Sequence, residues 1–222
     1  MINPKKVPAP LVNTIDLVAL YFPGIVITIE FIELYSFATN PTLAKLTFLV
    51  LTPYLLPLLS FRSLTWIFPL KEGREYVKKG SLSVWFLTYR IQLLYGLLPA
   101  LEGVLLAFPG LFSLWLRAWG SNIGSRVFWA ATVKVTDRSH LIIGDNVFIG
   151  NEVYFSPHVV SRGQERNFLY YRRITIEKNC FIGAGCRMGP GVRIKTGSKV
   201  PALTDLYLNE TFPPGDVRAS HG

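Results

Sequence analysis

At 222 residues, half of them apolar and with a mean hydropathy of +0.33, the chain has the length of one large or two small domains and more apolar residues than a soluble protein needs. The formal charge of +9 is spread along it, ten basic against six acidic residues over 1–120 and thirteen against eight over 121–222. That diffuse excess, with no recognition module or basic tail, excludes nucleic acid and suits an anionic membrane surface or a phosphorylated ligand.

In chain order, residues 15–36 are an apolar run long enough to cross a bilayer. Asp16 lies at one end, with Glu30 and Glu33 one helical turn apart toward the other; they sit at the interface or face a polar channel. Residues 43–61 make a second span, which Pro53 and Pro57 should kink, leaving carbonyls for neighbouring helices to satisfy. Lys5 and Lys6 precede the first run. Arg62, Lys71, Arg74, Lys78 and Lys79 follow the second, and the turn at 37–42 has no basic residue. The expectation is an anchoring hairpin with both ends cytoplasmic, not a cleaved signal peptide. Residues 82–119 are apolar but broken by Gly96, Pro99, Gly103, Pro109 and Gly110. They read as interfacial helices, with Trp115, Arg117 and Trp119 at headgroup level, the alternative being a third span that would put the repeats outside the cytoplasm. A helical membrane region is thus expected over 1–120.

From residue 121 a six-residue period takes over. Large apolar residues recur at Ile123, Trp129, Val135, Leu141; at Ile143, Ile149, Phe155; and at Ile176, Ile182, Met188, Ile194, Val200. The fifth residue of each unit, counted from the large one, is small: Val127, Val133, Ser139, Val147, Val153, Val159, Cys180, Cys186, Val192 and Ser198. Helices repeat near 3.6 and strands at 2, so sixes indicate very short strands joined by tight turns and stacked as a coil. Cys180 and Cys186 fill small inward positions, and C-x5-C is neither a zinc nor a redox motif. If Ile123, Ile143 and Ile176 each open a coil, Val135, Phe155 and Met188 share a face, which places Asp137 and Arg138 one coil away from Pro157 and His158. Adjacent parallel strands lie about 4.8 Å apart, so Asp137 is in reach of the His158 imidazole. Twenty-one residues separate Phe155 from Ile176, and the excess should leave the coil as a loop near 160–173. In that loop Arg162, Arg166, Arg172 and Arg173 alternate with Phe168, Tyr170 and Tyr171, with Glu165 among them. Such forks hold phosphate, and the aromatics would cover an acyl chain or an adenine. His140 should face solvent, and His221 lies in the tail, 216–222.

The stretches IGDNVFIGNEVYF and ITIEKNCFIGAGCRMGPGVRIKTGSKV resemble the hexapeptide-repeat acyltransferases, over residues 121–215. The segments WLRAWGSNIGSRVF, VTDRSHLIIGDNVFIG and TDLYLNETFPPG are similar to a membrane-associated subgroup, which includes the terminal transferase-like regions of some peptide synthetases. The resemblance implies a left-handed parallel β-helix of three hexads per turn, preceded here by transmembrane helices. It also implies acyl transfer from acyl-coenzyme A, with acetyl-coenzyme A the expected co-substrate and no metal. His158, beside the loop, would be the general base, and the turn Gly183–Ala184–Gly185 would contact the pantetheine arm. Arg162, Arg166 and Arg173 are the expected phosphate contacts. Relatives form trimers, so a homotrimer is expected. The anchor points to a lipid or lipid-linked acceptor at the cytoplasmic face. No G-x-P-A strap follows Pro213-Pro214-Gly215, which admits a carrier-protein or lipid donor. Two competitors are a non-catalytic β-helix scaffold that oligomerises at the membrane and a metal enzyme resembling the carbonic anhydrases of this fold. The latter wants three histidines around zinc, of which His140 and His158 alone could approach.

Overall fold

The computed structural model describes residues 9–76, 83–162 and 167–213. Residues 1–70 and 79–98 cluster as one compact unit, and residues 71–78 and 99–222 as another. The unit that holds the repeats therefore reaches back to residue 99, earlier than the boundary at 121, and takes in a short segment from the basic connection.

The first unit contains α1 (Ala9–Thr39), α2 (Leu43–Ile67) and α3 (Val84–Leu97). Within these, Leu17–Thr39 and Leu43–Ile67 are long and apolar enough to cross a membrane. The helix Val84–Leu97 meets that test only jointly with the helix after it, Ala100–Leu106. Thr42 caps α2 by accepting from the Lys45 amide. Pro57 has no N–H to donate to the Pro53 carbonyl, and the Tyr95 hydroxyl of α3 supplies the missing donor at 2.9 Å. The Thr52 hydroxyl of α2 donates to Glu33 Oε1 at 2.9 Å, so Glu33 faces the neighbouring helix.

The second unit opens with α4 (Ala100–Leu106) and α5 (Leu111–Trp119). On α5 the buried Phe112, Trp115, Leu116 and Trp119 fall at helical spacing on one face. That face packs on the first coil: Phe112 meets Trp129 edge-on at 5.1 Å, and Trp129 Nε1 donates to Ser113 Oγ at 2.8 Å. Arg117 Nε donates to the Ile123 carbonyl at 2.8 Å and its Nη2 to the Gly124 carbonyl at 2.7 Å. Trp115 and Trp119 thus belong to the core of this unit rather than to a headgroup layer. The first coil would otherwise end on exposed apolar side chains.

Three parallel sheets follow, each adding one short strand per coil. One contains β2 (Asn122–Ile123), β5 (Leu141–Ile143), β10 (Ile174–Ile176), β13 (Arg193–Ile194) and β16 (Thr211–Phe212). A second contains β3 (Phe128–Trp129), β6 (Phe148–Ile149), β11 (Phe181–Ile182) and β14 (Lys199–Val200), and a third β4 (Lys134–Val135), β7 (Tyr154–Phe155), β12 (Arg187–Met188) and β15 (Asp205–Leu206). Ile123, Ile143, Ile176, Ile194 and Phe212 stack in one column; Trp129, Ile149, Ile182 and Val200 in the next; Val135, Phe155, Met188 and Leu206 in the last. All are buried, and the expected face of Val135, Phe155 and Met188 is present. Burial raises the Cys180 and Cys186 thiols above their ordinary value, as suits packed, protonated side chains.

The turns carry a second six-residue period. Asn179, Gly185, Gly191, Gly197, Leu203 and Asn209 all have φ between 57° and 79°. Asn and Gly tolerate this left-handed region, which accounts for five of the six. Gly183 has a different reason: a Cβ there would collide with the backbone of Ala202 on the next coil.

The excess after Phe155 is not a loose loop. It forms a hairpin of β8 (His158–Arg162) and β9 (Asn167–Tyr171), and β9 also pairs antiparallel with β1 (Gly73–Tyr76). Val159 accordingly lies on this hairpin, exposed, and not at an inward position of the coil.

Candidate active site

The corner from the third sheet to the first determines the site. In the last two coils six residues take the chain from Met188 to Ile194 and from Leu206 to Phe212. In the first, Val135 to Ile143 takes eight; in the second, Phe155 to Ile176 takes twenty-one. Both insertions bulge from the same corner, one above the other.

The first bulge is the turn Asp137–His140, closed by the His140 amide donating to the Asp137 carbonyl at 3.1 Å. Ser121 Oγ donates to the Arg138 carbonyl at 2.6 Å and accepts from the Leu141 amide at 2.9 Å. The second bulge is the hairpin, which starts at His158 and returns at Arg172, whose amide donates to the Pro157 carbonyl at 2.9 Å. Stacking the two brings His158 Nδ1 to 2.5 Å from Asp137 Oδ2. Asp137 is 0% exposed and also accepts from Thr136 Oγ1 at 2.8 Å. A buried carboxylate on Nδ1 fixes the tautomer that leaves Nε2 to take a proton, and stabilises the imidazolium that results.

A second contact joins the same two insertions. Tyr171 Oη and Ser139 Oγ lie 2.6 and 2.8 Å from His140 Nδ1, with the His140 and Tyr171 rings 4.0 Å apart. His140 is buried, contrary to the solvated position expected, because the two extra residues fold it under the hairpin. Burial pulls its imidazole down to about 4, and burial followed by the Asp137 charge pushes the Tyr171 phenol well up. Both are neutral near pH 7.

His158 lines a cleft of about 490 Å³ with Ser156, Val159, Arg187, Pro190 and Tyr207. Arg187 makes a two-pronged ion pair with Asp205 on the cleft wall, at 2.8 and 2.9 Å. Gly183–Ala184–Gly185 lie elsewhere. Ala184 lines a groove of about 600 Å³ beside Phe128, Phe148, Phe181, Trp129 and Leu106, in which the three phenylalanine rings stack at 4.6 and 4.9 Å.

The arginine-rich segment divides. Arg173 pairs with Glu72 at 3.2 Å and is half-exposed, lining neither cleft. Arg172 Nη1 and Tyr170 Oη both donate to Asn209 Oδ1, at 2.8 and 3.0 Å, and so tie the hairpin to the last coil. Tyr171 is buried on His140, and Arg74 lies over the Phe168 ring at 4.3 Å. Tyr171 is therefore taken up in packing rather than left to cover an acyl chain, while Phe168 and Tyr170 stay part-exposed. The Arg162 side chain, Glu165, Arg166 and His221 lie outside the described residues, as do Lys5, Lys6, Lys78, Lys79 and the Asp16 side chain. Among the described residues, no three His, Cys, Asp or Glu side chains gather as a metal-binding group.

The sequence missed one cluster. Arg138 is buried, and its Nε and Nη2 each lie 2.6 Å from a Glu102 carboxylate oxygen on α4. Trp115 Nε1 donates to the same Glu102 Oε1 at 3.0 Å. The available signal was Glu102 itself, an acid inside an otherwise apolar stretch that must find a partner if buried.

The family described as the hexapeptide repeat of succinyl-transferase matches residues 173–202. The chain is 29% identical over 96 residues to a serine acetyltransferase of Buchnera aphidicola, covering 43% of this chain and 34% of that protein. It is 31% identical over 88 residues to a galactoside O-acetyltransferase of Lactococcus lactis, covering 36% and 42%. A solved structure of a hexapeptide-repeat-containing acetyltransferase of Vibrio cholerae, in complex with acetyl-coenzyme A, aligns with a TM-score of 0.38 at 28% identity, over 43% of this chain and 52% of that one. The chain thus spans less than half the length of the two curated acetyltransferases.

Proposed function

We propose that this chain is a membrane-anchored acyltransferase that moves an acetyl-type group from acyl-coenzyme A to a hydroxyl or amine on a lipid-linked acceptor. The observation that carries the reading is the buried Asp137 carboxylate on His158 Nδ1, at the mouth of a cleft large enough for a thioester. In the reaction, His158 Nε2 takes the proton from the acceptor O–H or N–H as that atom attacks the thioester carbonyl carbon. The new C–O or C–N bond forms, the C–S bond breaks, and the departing thiolate receives the proton from the imidazolium. Asp137 stabilises the imidazolium between the two transfers. The acetyltransferase relatives support the reaction class. The two apolar helices support a membrane location, and the basic residues at the ends of the hairpin support a cytoplasmic position for the repeats. Anchoring at a membrane favours a lipid-linked acceptor over a soluble one. The left hand of the coil and a homotrimer follow from the hexapeptide-repeat resemblance.

The test is transfer from radiolabelled acetyl- and longer acyl-coenzyme A, by membranes carrying wild-type protein or His158→Ala, into extracted lipid. Label in a lipid with wild type alone supports the reading and identifies the acceptor. Equal label from both removes His158 as the base. No label from either favours a carrier-protein donor, a missing acceptor or the scaffold.

A further inference from the structure

Arg138 stands next to Asp137 in the chain and is buried beside it, 3% exposed. Two of its nitrogens lie 2.6 Å from the Glu102 oxygens, and Nη1 leans on the Thr136 carbonyl at 3.4 Å. Glu102 comes from a helix 36 positions earlier and is braced by the Trp115 indole. Two-pronged pairing between a guanidinium and a carboxylate is the strongest contact such a pair can make, and inside a protein it decides where the cation stays.

We propose that Glu102 is a positioning residue for the reaction: by pairing with the buried Arg138 guanidinium it balances that cation beside the Asp137–His158 pair, so that the Asp137 charge serves the imidazole. This rests on the acyltransferase reading for its catalytic meaning, though not for its electrostatics. The charged and titratable groups around the His158–Asp137 pair come from every side. They are Arg138 and His140 on the same turn, Tyr171 on the hairpin, Arg173 with Glu72 beyond it, Glu102 on α4, and Tyr154, Arg187, Asp205 and Tyr207 around the cleft. Arg187 and Arg173 have acids of their own. Removing the Glu102 charge therefore takes from the buried Arg138 guanidinium the carboxylate that balances it.

The experiment uses the full chain in detergent, with ¹⁵N-labelled histidine. It compares wild type, Glu102→Gln, and Glu102→Gln combined with Arg138→Gln. The His158 imidazole titration is followed by NMR, alongside kcat and KM for acyl transfer. In Glu102→Gln the titration midpoint should fall by about one unit, because an uncompensated cation disfavours the imidazolium. The acid limb of the pH–rate profile should move with it, kcat should drop about tenfold, and KM should stay within about twofold. Removing the cation as well should return the midpoint to within about 0.3 unit of wild type. An unmoved midpoint in Glu102→Gln overturns the proposal whether or not activity falls, since a purely structural role would lower activity alone. A midpoint that moves but does not return in the double variant also overturns it. If no variant transfers an acyl group yet the midpoints move and return as described, the acyltransferase reading fails and the coupling stands.

Discussion

The same corner of the coil is built in two ways. In the third and fourth coils it is a plain hexad turn, with Gly191 and Asn209 in the left-handed region and, among the described residues, no buried polar side chain at it. In the first and second it is interrupted, and Asp137, Arg138, Ser139 and His140 are all buried there. A regular turn satisfies its backbone with the coils above and below, so it has no need of polar side chains and no means of burying them. An insertion breaks that ladder locally, and its groups must be satisfied from elsewhere. Because the two insertions stack, each satisfies the other, through His158 on Asp137 and Tyr171 on His140. The repeat supplies regular stacking, and its interruption supplies the buried polar groups.

The most direct way to break this comparison is Asp137→Asn. The amide keeps the shape of the turn but removes the charge that fixes the imidazole tautomer and stabilises its protonated form. Acyl transfer should fall by about 10²–10³-fold, with the protein still folded by circular dichroism. A loss under about threefold would mean that the stacked insertions hold the fold together without forming a base.

The second contact between the insertions predicts a pH dependence of stability. The folded His140 imidazole lies at about 4, below its ordinary 6.5, through burial. Between those values the unfolded chain binds the proton and the folded one does not, so stability falls as pH drops. The contribution is complete above pH 6.5 and is lost progressively down to about pH 4, by about 3 kcal/mol in all. Unfolding monitored at pH 7 and pH 4.5 should show the loss in wild type and a much weaker one in His140→Gln. A wild-type transition that does not move over that range would contradict the buried neutral imidazole.

The regular turns can be tested against each other. A Cβ on Gly144 would lie 2.7 Å from the Lys178 backbone nitrogen, whereas one on Gly189 would find its nearest atom at 3.4 Å. Gly144→Ala should destabilise by about 1–3 kcal/mol, since backbone must shift. Gly189→Ala should be neutral or stabilising by about 0.5 kcal/mol, by restricting the unfolded chain. Equal effects in thermal unfolding would mean that neighbouring coils can separate.

How much of this was legible in the sequence follows from the same contrast. Columns such as Ile123–Ile143–Ile176 were readable because a strict period leaves one inward direction. The pairing of Asp137 with His158 was readable because it needs only the count of residues per coil. The hairpin was not, since β9 pairs with residues 73–76, nearly a hundred positions away, and no local pattern announces that. His140 was misplaced because a two-residue insertion inside a hexad keeps the apparent period: Leu141 and Ile143 are both large, and either continues the count. The Glu102–Arg138 pair was invisible for another reason. Ionic partners recognise charge and distance, and neither is written in spacing.

The smallest effect concerns the turn period. Leu203 occupies the turn position held by Asn179 and Asn209 at other corners, with φ 59° and the residue 82% exposed. A leucine in the left-handed region carries a penalty of about 1–2 kcal/mol from its Cβ against the carbonyl, and asparagine carries less of it. The exposed side chain buries little area to offset that strain. Leu203→Asn should therefore stabilise the coil by about 0.5–1 kcal/mol, or raise Tm by about 1–4 °C. Differential scanning calorimetry would read the change. A lower Tm would mean that the leucine side chain is covered in the assembled protein, which would place a partner surface at the turn beside Gly185 and so beside the groove that Ala184 lines.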